Sequence, residues 1–399
     1  MKNAPEEIDN REASATAEIS IEQRETEGLS QGQIVRRRFF RHRGAVVSMI
    51  VLAFIVILSF TSVGIDLWGI RIPGWWQYDW RQIPPIENRG VPTLSLIPEF
   101  LGGAGLAFGN HPFGQDEVGR DTFAVVMRGA QQSLMVMVIA GVVATAIGVV
   151  IGAVAGYYRK AADAVLMRFT DIIITIPLIV IGAVLGNALG NLGAAVLGVV
   201  IGLFAWTTLA RLVRGEFLTL REREFVDAAR VSGARDRRII FRHILPNAVG
   251  VIVVNATLLM AGAILLESAL SFLGFGVVSP DTSLGKIVSD NQAAFSTRPW
   301  LFWWPGIFII TIALCVNFIG DGLRDAFDPR QKKMPSERAM ARAGRSSTPA
   351  GPVQDAGAAG PASVTVAGEA VYTGDVENYH DPRPEEPGDA GHGRLDPER

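Results

Sequence analysis

The sequence predicts an all-α integral membrane fold with six transmembrane helices. Three observations carry that expectation. Of the 399 residues, 49% are hydrophobic and only 19% charged. The uncharged stretches reach the roughly 20 apolar residues that a bilayer core about 30 Å thick requires of a helix. Cationic residues also gather on one side of those stretches, as orientation in a membrane demands. The formal net charge of −2 hides this pattern, because residues 1–33 carry −5, residues 350–399 carry −7, and the body between them carries +10. A single cysteine, Cys315, excludes an internal disulfide framework and a Cys-based zinc site.

The elements follow in order. Residues 1–33 form an acidic tail, poor in aromatics and expected to be disordered. Residues 45–63 are the first span, 19 residues without a charge. This is not a cleaved signal: the basic cluster lies behind an acidic leader, the apolar run is long, and no small-x-small cleavage site follows. An outer loop, 64–132, leads to the second span at 133–157. The uncharged run 172–210 is 39 residues long, about right for two passes, with a turn supplied by the Gly- and Asn-rich stretch 186–193. A charged loop, 211–247, precedes the fifth span at 248–266. The sixth, 303–319, carries Pro305 in its first turn, where a missing N–H costs little. Residues 34–330 are thus the membrane domain, and 331–399 a second tail expected to be disordered.

With both termini inside, 24 of the 31 cationic residues in 34–349 fall on the inner face. Trp68, Trp75, Trp76, Trp80, Trp300, Trp303 and Trp304 all fall outside and read as interfacial anchors, with Trp206 alone toward the inner face. The expected place is the cell membrane, multi-pass, both termini cytoplasmic, in contact with lipid and with no nucleic acid partner.

The chain lacks the apparatus of a catalyst. There is no Gly-x-x-x-x-Gly-Lys-Ser/Thr phosphate cradle, the five histidines are scattered, and no nucleophile has a base beside it. The spans hold no charge by this reading. Glu267 and Asp171 stand at span ends and read as interface carboxylates in preference to gates or substrate contacts. Proton or sodium coupling is therefore disfavoured, and the energy source is expected elsewhere. Small residues recur every four positions at Ala144, Gly148, Gly152 and Gly156, which reads as a helix-packing stripe. Gly182, Gly186 and Gly190, with Gly198 and Gly202, follow the same spacing, although glycine is common in membrane helices anyway.

The informative loop is 211–247. Residues 222–232 read as a helix with Phe225, Ala228, Ala229 and Ser232 on one face, ended by Gly233. Asp236 is placed to cap a second short helix, carrying Ile239, Ile240, His243 and Ile244, that stops before Pro246. Such a pair suits either docking into another protein's groove or lying on anionic lipid.

This loop resembles the "EAA" loop of ABC-transporter permeases, a pattern of Glu-Ala-Ala, three residues, Gly, nine residues, Ile, one residue, Leu-Pro. Here it reads Asp227, Ala228, Ala229, Gly233, His243, Leu245, Pro246; Asp227 departs from Glu and His243 from Ile. Three further strings are similar to the C-type subunit of the dipeptide, oligopeptide and nickel importer branch. They are residues 111–121 (HPFGQDEVGRD, with Gln115 in place of the usual Thr), 267–274 (ESALSFLG) and 320–329 (GDGLRDAFDP). The likeness covers about residues 36–330.

The resemblance implies a type I importer fold and a non-catalytic permease subunit of an ATP-driven importer of di- or oligopeptides. Nickel or another small solute is the alternative cargo; an autonomous channel or secondary transporter is the alternative class. It implies a second, B-type permease, one or two cytoplasmic ABC ATPases holding ATP and Mg, and an extracytoplasmic substrate-binding protein, with no cofactor on this chain. It assigns ATPase coupling to Glu224, Phe225, Asp227, Ala228, Ala229, Gly233, His243, Leu245 and Pro246. In the string 111–121, Asp116, Glu117, Arg120 and Asp121 read as a structural loop, with Arg120 paired to a carboxylate and Asp116 capping a turn, in preference to an outer-face contact. Asp321, Arg324 and Asp325 take the same structural reading on a surface helix.

Overall fold

The computed structural model describes residues 31–67, 70–95, 108–189 and 193–327. The acidic tail up to residue 30, the tail 331–399 and Trp68 lie outside the described residues. Residues 31–33, grouped above with the first tail, instead open helix α1, Gln31–Arg41. His42 then caps α2, Arg43–Ser62, its Nδ1 accepting from the Ala45 N–H at 3.0 Å. A short antiparallel hairpin follows, β1 Ile65–Leu67 and β2 Ile70–Ile72.

Helix α3, Thr122–Tyr158, is 37 residues long and starts eleven positions before the uncharged run that announces it. The sequence reading lost that opening because Arg128 lies within it. α4 Lys160–Thr175 and α5 Leu178–Leu189 are bent by 76° beside Pro177; α6 Ala194–Ala205 and α7 Thr207–Arg221 are bent by 47° at Trp206. The 39-residue run therefore falls within two bent helix pairs, each a broken pass or a re-entrant segment, and the break at Pro177 is one that the glycine and asparagine pattern did not mark. α8 is Glu224–Val231. α9 is continuous from Asp236 to Phe272.

That continuity corrects the expected stop before Pro246. The six residues Ile239–Ile244 take a wider π-helical turn, in which the Leu245 N–H reaches the Ile240 carbonyl, and the chain stays helical through the proline. Two more helices follow, α10 Leu284–Asp290 and α11 Trp300–Phe327. Among the described residues four helices, α2, α3, α9 and α11, are long and apolar enough to cross a membrane, or up to six spans if each bent pair counts as one. Helices suit that solvent because their peptide groups are satisfied within the segment.

α3 is the central element. A Cβ on Gly152 would lie 2.5 Å from the Ala210 carbonyl oxygen, and one on Gly156 2.7 Å from that of Arg214, so α7 is seated on the glycine stripe. From the other side, Gly198 and Gly202 of α6 lie against the Val136 and Ala140 carbonyls of α3. In α5, Gly182 meets Leu270 and Gly186 the Phe275 carbonyl, so those glycines are packed too.

The tryptophans depart from the simple anchor reading. Trp75 and Trp303 are exposed, but Trp304 stacks on Phe113 at 3.9 Å and Trp76 packs 4.6 Å from Phe123. A loop this long needs an apolar centre of its own, and these rings provide it.

Gly152→Ala is expected to destabilise the protein by about 1–3 kcal/mol through overpacking, read as a lower midpoint in detergent unfolding. Gly262→Ala, where nothing lies within 4 Å of the added carbon, is expected to leave the midpoint unchanged or slightly raised.

Candidate functional site

The loop helix α8 has two faces. Its inward residue is Val226, fully buried in an apolar cluster with Ala153 and Tyr157 of α3, Val213 and Phe217 of α7, and Ile239 and Ile244 of α9. Ala229 and Ala234 pack against the same cluster. The outward face carries Phe225, Ala228 and Ser232, all exposed, with Val231 90% exposed. Glu224 and Asp227 stand in the first turn, where acidic groups suit the helix dipole; Asp227 accepts from Arg230 at 2.9 Å.

The helix ends as the spacing of small residues requires. The Gly233 N–H bonds the Arg230 carbonyl at 2.9 Å and the Ala234 N–H the Ala229 carbonyl at 3.0 Å, with Gly233 at φ +76°. This is a Schellman cap, and its αL position favours glycine. Of the remaining motif residues, His243 and Leu245 are half-buried in and just after the π-turn, and Pro246 is exposed.

Polar bonds fasten this unit to the bundle. Tyr157 Oη donates to Asp236 at 2.7 Å, Arg221 donates to the Tyr157 carbonyl, and Arg159 pairs with Glu222 at 2.8 Å. Asp236 therefore serves as an acceptor for α3; Arg235 holds the N-cap position assigned to it by the sequence. α4 is tied to α7 by Arg211–Asp171 at 2.7 Å and by Arg214–Asp163. α8 is thus packed directly on α3, α7 and α9, while the breaks at Pro177 and Trp206 lie earlier in the chain. Alongside those breaks runs an apolar cavity of about 540 Å³, whose lining includes Ile173, Pro177, Phe204, Leu212, Asn255 and Leu266.

The other predicted residues sit near the opposite end of α3. Asp116 accepts from the Val118, Gly119 and Arg120 N–H groups, and from Arg120 Nε at 2.7 Å. Asp121, wholly buried, caps α3 through the Ala124 N–H at 2.9 Å, accepts from Trp76 Nε1 at 2.8 Å, and lies 2.8 Å from His111 Nδ1. Burial pushes its carboxyl up from the ordinary range, and those hydrogen bonds pull the other way.

Glu267 is not the interface carboxylate the sequence suggested. It is fully buried in α9, accepting from Ser133 Oγ at 2.8 Å and Ser271 Oγ at 2.7 Å. The reason is that α9 continues to Phe272 and α10 then packs back on both α9 and α3. Buried Arg128 of α3, five residues before the uncharged run 133–157, forks onto Asp281 through two bonds of 2.8 Å. Asp281, Asp116, Arg120, Trp80, Lys286 and Asp290 line a polar cavity of about 120 Å³.

Val226, Tyr157, Arg128 and Asp281 are the residues that sequence reasoning did not single out. Val226 had one available signal, its i, i+3 spacing to Ala229; the others act through partners distant in the chain. Val226→Asp is expected to unseat α8 and speed trypsin cleavage at Arg223 and Arg230 in the folded protein. An unchanged cleavage rate would mean that the cluster does not hold the helix.

Comparison with known proteins places these features in a family. Residues 148–333, which include α8 and its cluster partners on α7 and α9, match the family described as the inner membrane component of binding-protein-dependent transport systems. Residues 30–83 match the N-terminal transmembrane domain of oligopeptide transport permease C. The oligopeptide transport system permease protein OppC of Haemophilus influenzae is 37% identical over 318 residues, covering 78% of this chain and 93% of the relative. Its namesake in Mycobacterium tuberculosis strain H37Rv is 34% identical over 310 residues, covering 77% of this chain and 98% of the relative. The chain therefore belongs to the multi-pass inner membrane permease components of binding-protein-dependent ABC transport systems, in the C-type branch of the oligopeptide permeases.

Proposed function

We propose that this chain is one of two permease subunits in an ATP-driven importer of oligopeptides, and that α8 with its Gly233 turn is its ATPase-coupling element. The observation that carries the coupling assignment is the division of α8 into a buried face led by Val226 and an open face of Phe225, Ala228 and Val231. A helix held firmly on one side and bare on the other suits a partner's groove. Small Ala228 permits close approach. The peptide cargo rests on the relatives, whose names state oligopeptide transport.

The remaining parts follow from that reading. A B-type permease completes the pathway, one or two cytoplasmic ABC ATPases bind ATP with Mg, and an extracytoplasmic binding protein delivers the peptide. Loop 211–247 and both termini face the cytoplasm, in keeping with the 24 cations on that side. ATPase closure moves α8, and the shared cluster turns that motion into a shift of α3, α7 and α9. The glutamate, aspartate and arginine of α8 orient the dock; exposed pairs of this kind contribute at most about 1 kcal/mol each.

Two measurements test this. In proteoliposomes holding the complete complex, Gly233→Pro, which forces φ to about −65°, and the pair Ala228→Glu with Ala229→Glu are expected to reduce ATP-driven uptake of labelled oligopeptide to background. Uptake equal to wild type would remove the coupling assignment, and uptake of nickel but no peptide would replace the cargo. For sidedness, Ser232→Cys in a Cys315→Ser background is expected to react with an impermeant maleimide only from the cytoplasmic face. Asn110→Cys is expected to react only from the other.

A further inference from the structure

The polar cavity beside the start of α3 has no part in the coupling reading. Its space is about 120 Å³. A water needs roughly 10–15 Å³ measured in this way, so there is room for about ten waters, or an organic molecule of about as many heavy atoms. Part of the wall is apolar: Val125 of α3, Ile287 of α10 and Leu301 of α11. Three carboxylates, Asp116, Asp281 and Asp290, and two cations, Arg120 and Lys286, make up the charged part. Arg128, forked onto Asp281, brings the cations to three, so the site as a whole is neutral.

Every one of these charges has a partner, yet several keep hydrogen-bonding capacity unused. Arg120 gives only Nε to Asp116, at 2.7 Å, which leaves both η nitrogens as donors. Lys286 Nζ gives one of its three N–H groups to Asp290 Oδ1 at 3.0 Å, and Asp290 Oδ2 accepts nothing. Asp281 Oδ2 accepts a single bond, from Arg128. Thr122, on the same wall, is 3% exposed, and its Oγ1 has no hydrogen-bond partner. Buried hydroxyls are ordinarily paired, so this one marks a place where a polar ligand atom would be accommodated. Among the described residues no three carboxylates, histidines or cysteines are grouped to hold a metal ion, which leaves an organic ligand.

We propose that this cavity binds the zwitterion of a small apolar α-amino acid. Thr122 Oγ1, Asp281 Oδ2 and Asp290 Oδ2 are the open acceptors for its ammonium group. The η nitrogens of Arg120 and Lys286 Nζ are the open donors for its carboxylate, and Val125, Ile287 and Leu301 receive its side chain. Charge decides against a simple cation or anion, because either would bring an unbalanced charge into a neutral, partly buried site. Spacing decides for an α-amino acid. Opposite charges alternate around the wall at 2.7 Å for Arg120 and Asp116 and 3.0 Å for Lys286 and Asp290. A ligand whose two poles share one carbon matches that alternation, whereas each further residue of an extended peptide moves the poles about 3.3–3.6 Å apart. The inference draws only on the cavity and does not rest on the importer reading.

The test is equilibrium binding of radiolabelled L-leucine to the purified full-length chain in nanodiscs, with no ATP, ATPase or binding protein present. Saturable binding is expected, with leucine amide and N-acetyl-leucine each competing about tenfold or more worse than leucine, the loss that one charge-assisted hydrogen bond carries. Thr122→Val and Arg120→Gln are each expected to weaken binding by about the same factor, while Lys286→Arg, which keeps the charge, retains most of it. Asp290→Asn lies at the rim, its side chain 51% exposed, where folding is not at stake, and is expected to weaken binding in a smaller step. An unchanged thermal midpoint shows that each variant is folded. If Thr122→Val or Arg120→Gln misfolds, Asp290→Asn and the two capped leucines carry the test. The proposal is overturned by an absence of saturable leucine binding, or by binding that none of the variants changes. Leucine amide or N-acetyl-leucine binding as tightly as leucine overturns it too, since one pole would then go unread. Trileucine displacing the label better than leucine assigns the cavity to peptides and likewise overturns it. Because uptake is not measured, each of these outcomes leaves the coupling and cargo readings to their own tests.

Discussion

Where α3 runs against α6 and α7, glycine stands at the crossings: Gly148, Gly152 and Gly156 on one helix, Gly198 and Gly202 on the other. Lipid tails are as apolar as leucine, so these helices gain little by hiding from them; dispersion at close range has to hold the bundle. That requires backbones within reach of each other's carbonyl groups, which a side chain at Gly152 would prevent. The consequence reaches well beyond the crossing. α7 carries Val213 and Phe217 into the cluster that seats Val226, so the position of α8 depends on how closely α7 lies on α3. Close packing in the span is thereby converted into the placement of a loop helix outside it.

The two ends of α3 are secured by different means. Around Tyr157 the fastening is an apolar cluster with a few hydrogen bonds at its edge. Around Thr122 to Ser133 it is polar: Asp121 with His111 and Trp76, Arg128 with Asp281, Ser133 with Glu267. Buried ionisable groups are costly without partners, and breaking one such pair strands the other member. The polar end is accordingly specific in register. Between the two ends lie the breaks at Pro177 and Trp206 and the apolar cavity beside them.

Much of this was legible in the residues. The spans follow from hydropathy, and the end of α8 follows from Gly233, since a Schellman turn wants glycine at that point. Other features were legible only in part. Pro246 read as a stop, yet the π-turn before it lets α9 continue; the signal was local and its resolution was not. Trp76 and Trp304 read as anchors for the same reason, because an indole at a span end looks alike whether it meets lipid or Phe123. Phe225 and Ala228 were placed together on a face, but nothing in their spacing said that Val226, between them, was the buried residue.

The sequence by itself determined that the chain is helical and membrane-spanning, that its cations cluster beside particular segments, and which family its motifs match. These are properties of runs and spacings, and each is a sum over neighbours along the chain. Tertiary structure decided which face of α8 is bare, where the passes bend and which charges are buried. Glu267 shows the physical reason: its partner Ser133 is 134 positions away, and Arg128 lies 153 from Asp281. Whether a carboxylate stays at an interface or enters the interior depends on whether such donors arrive, and only the folded chain brings them.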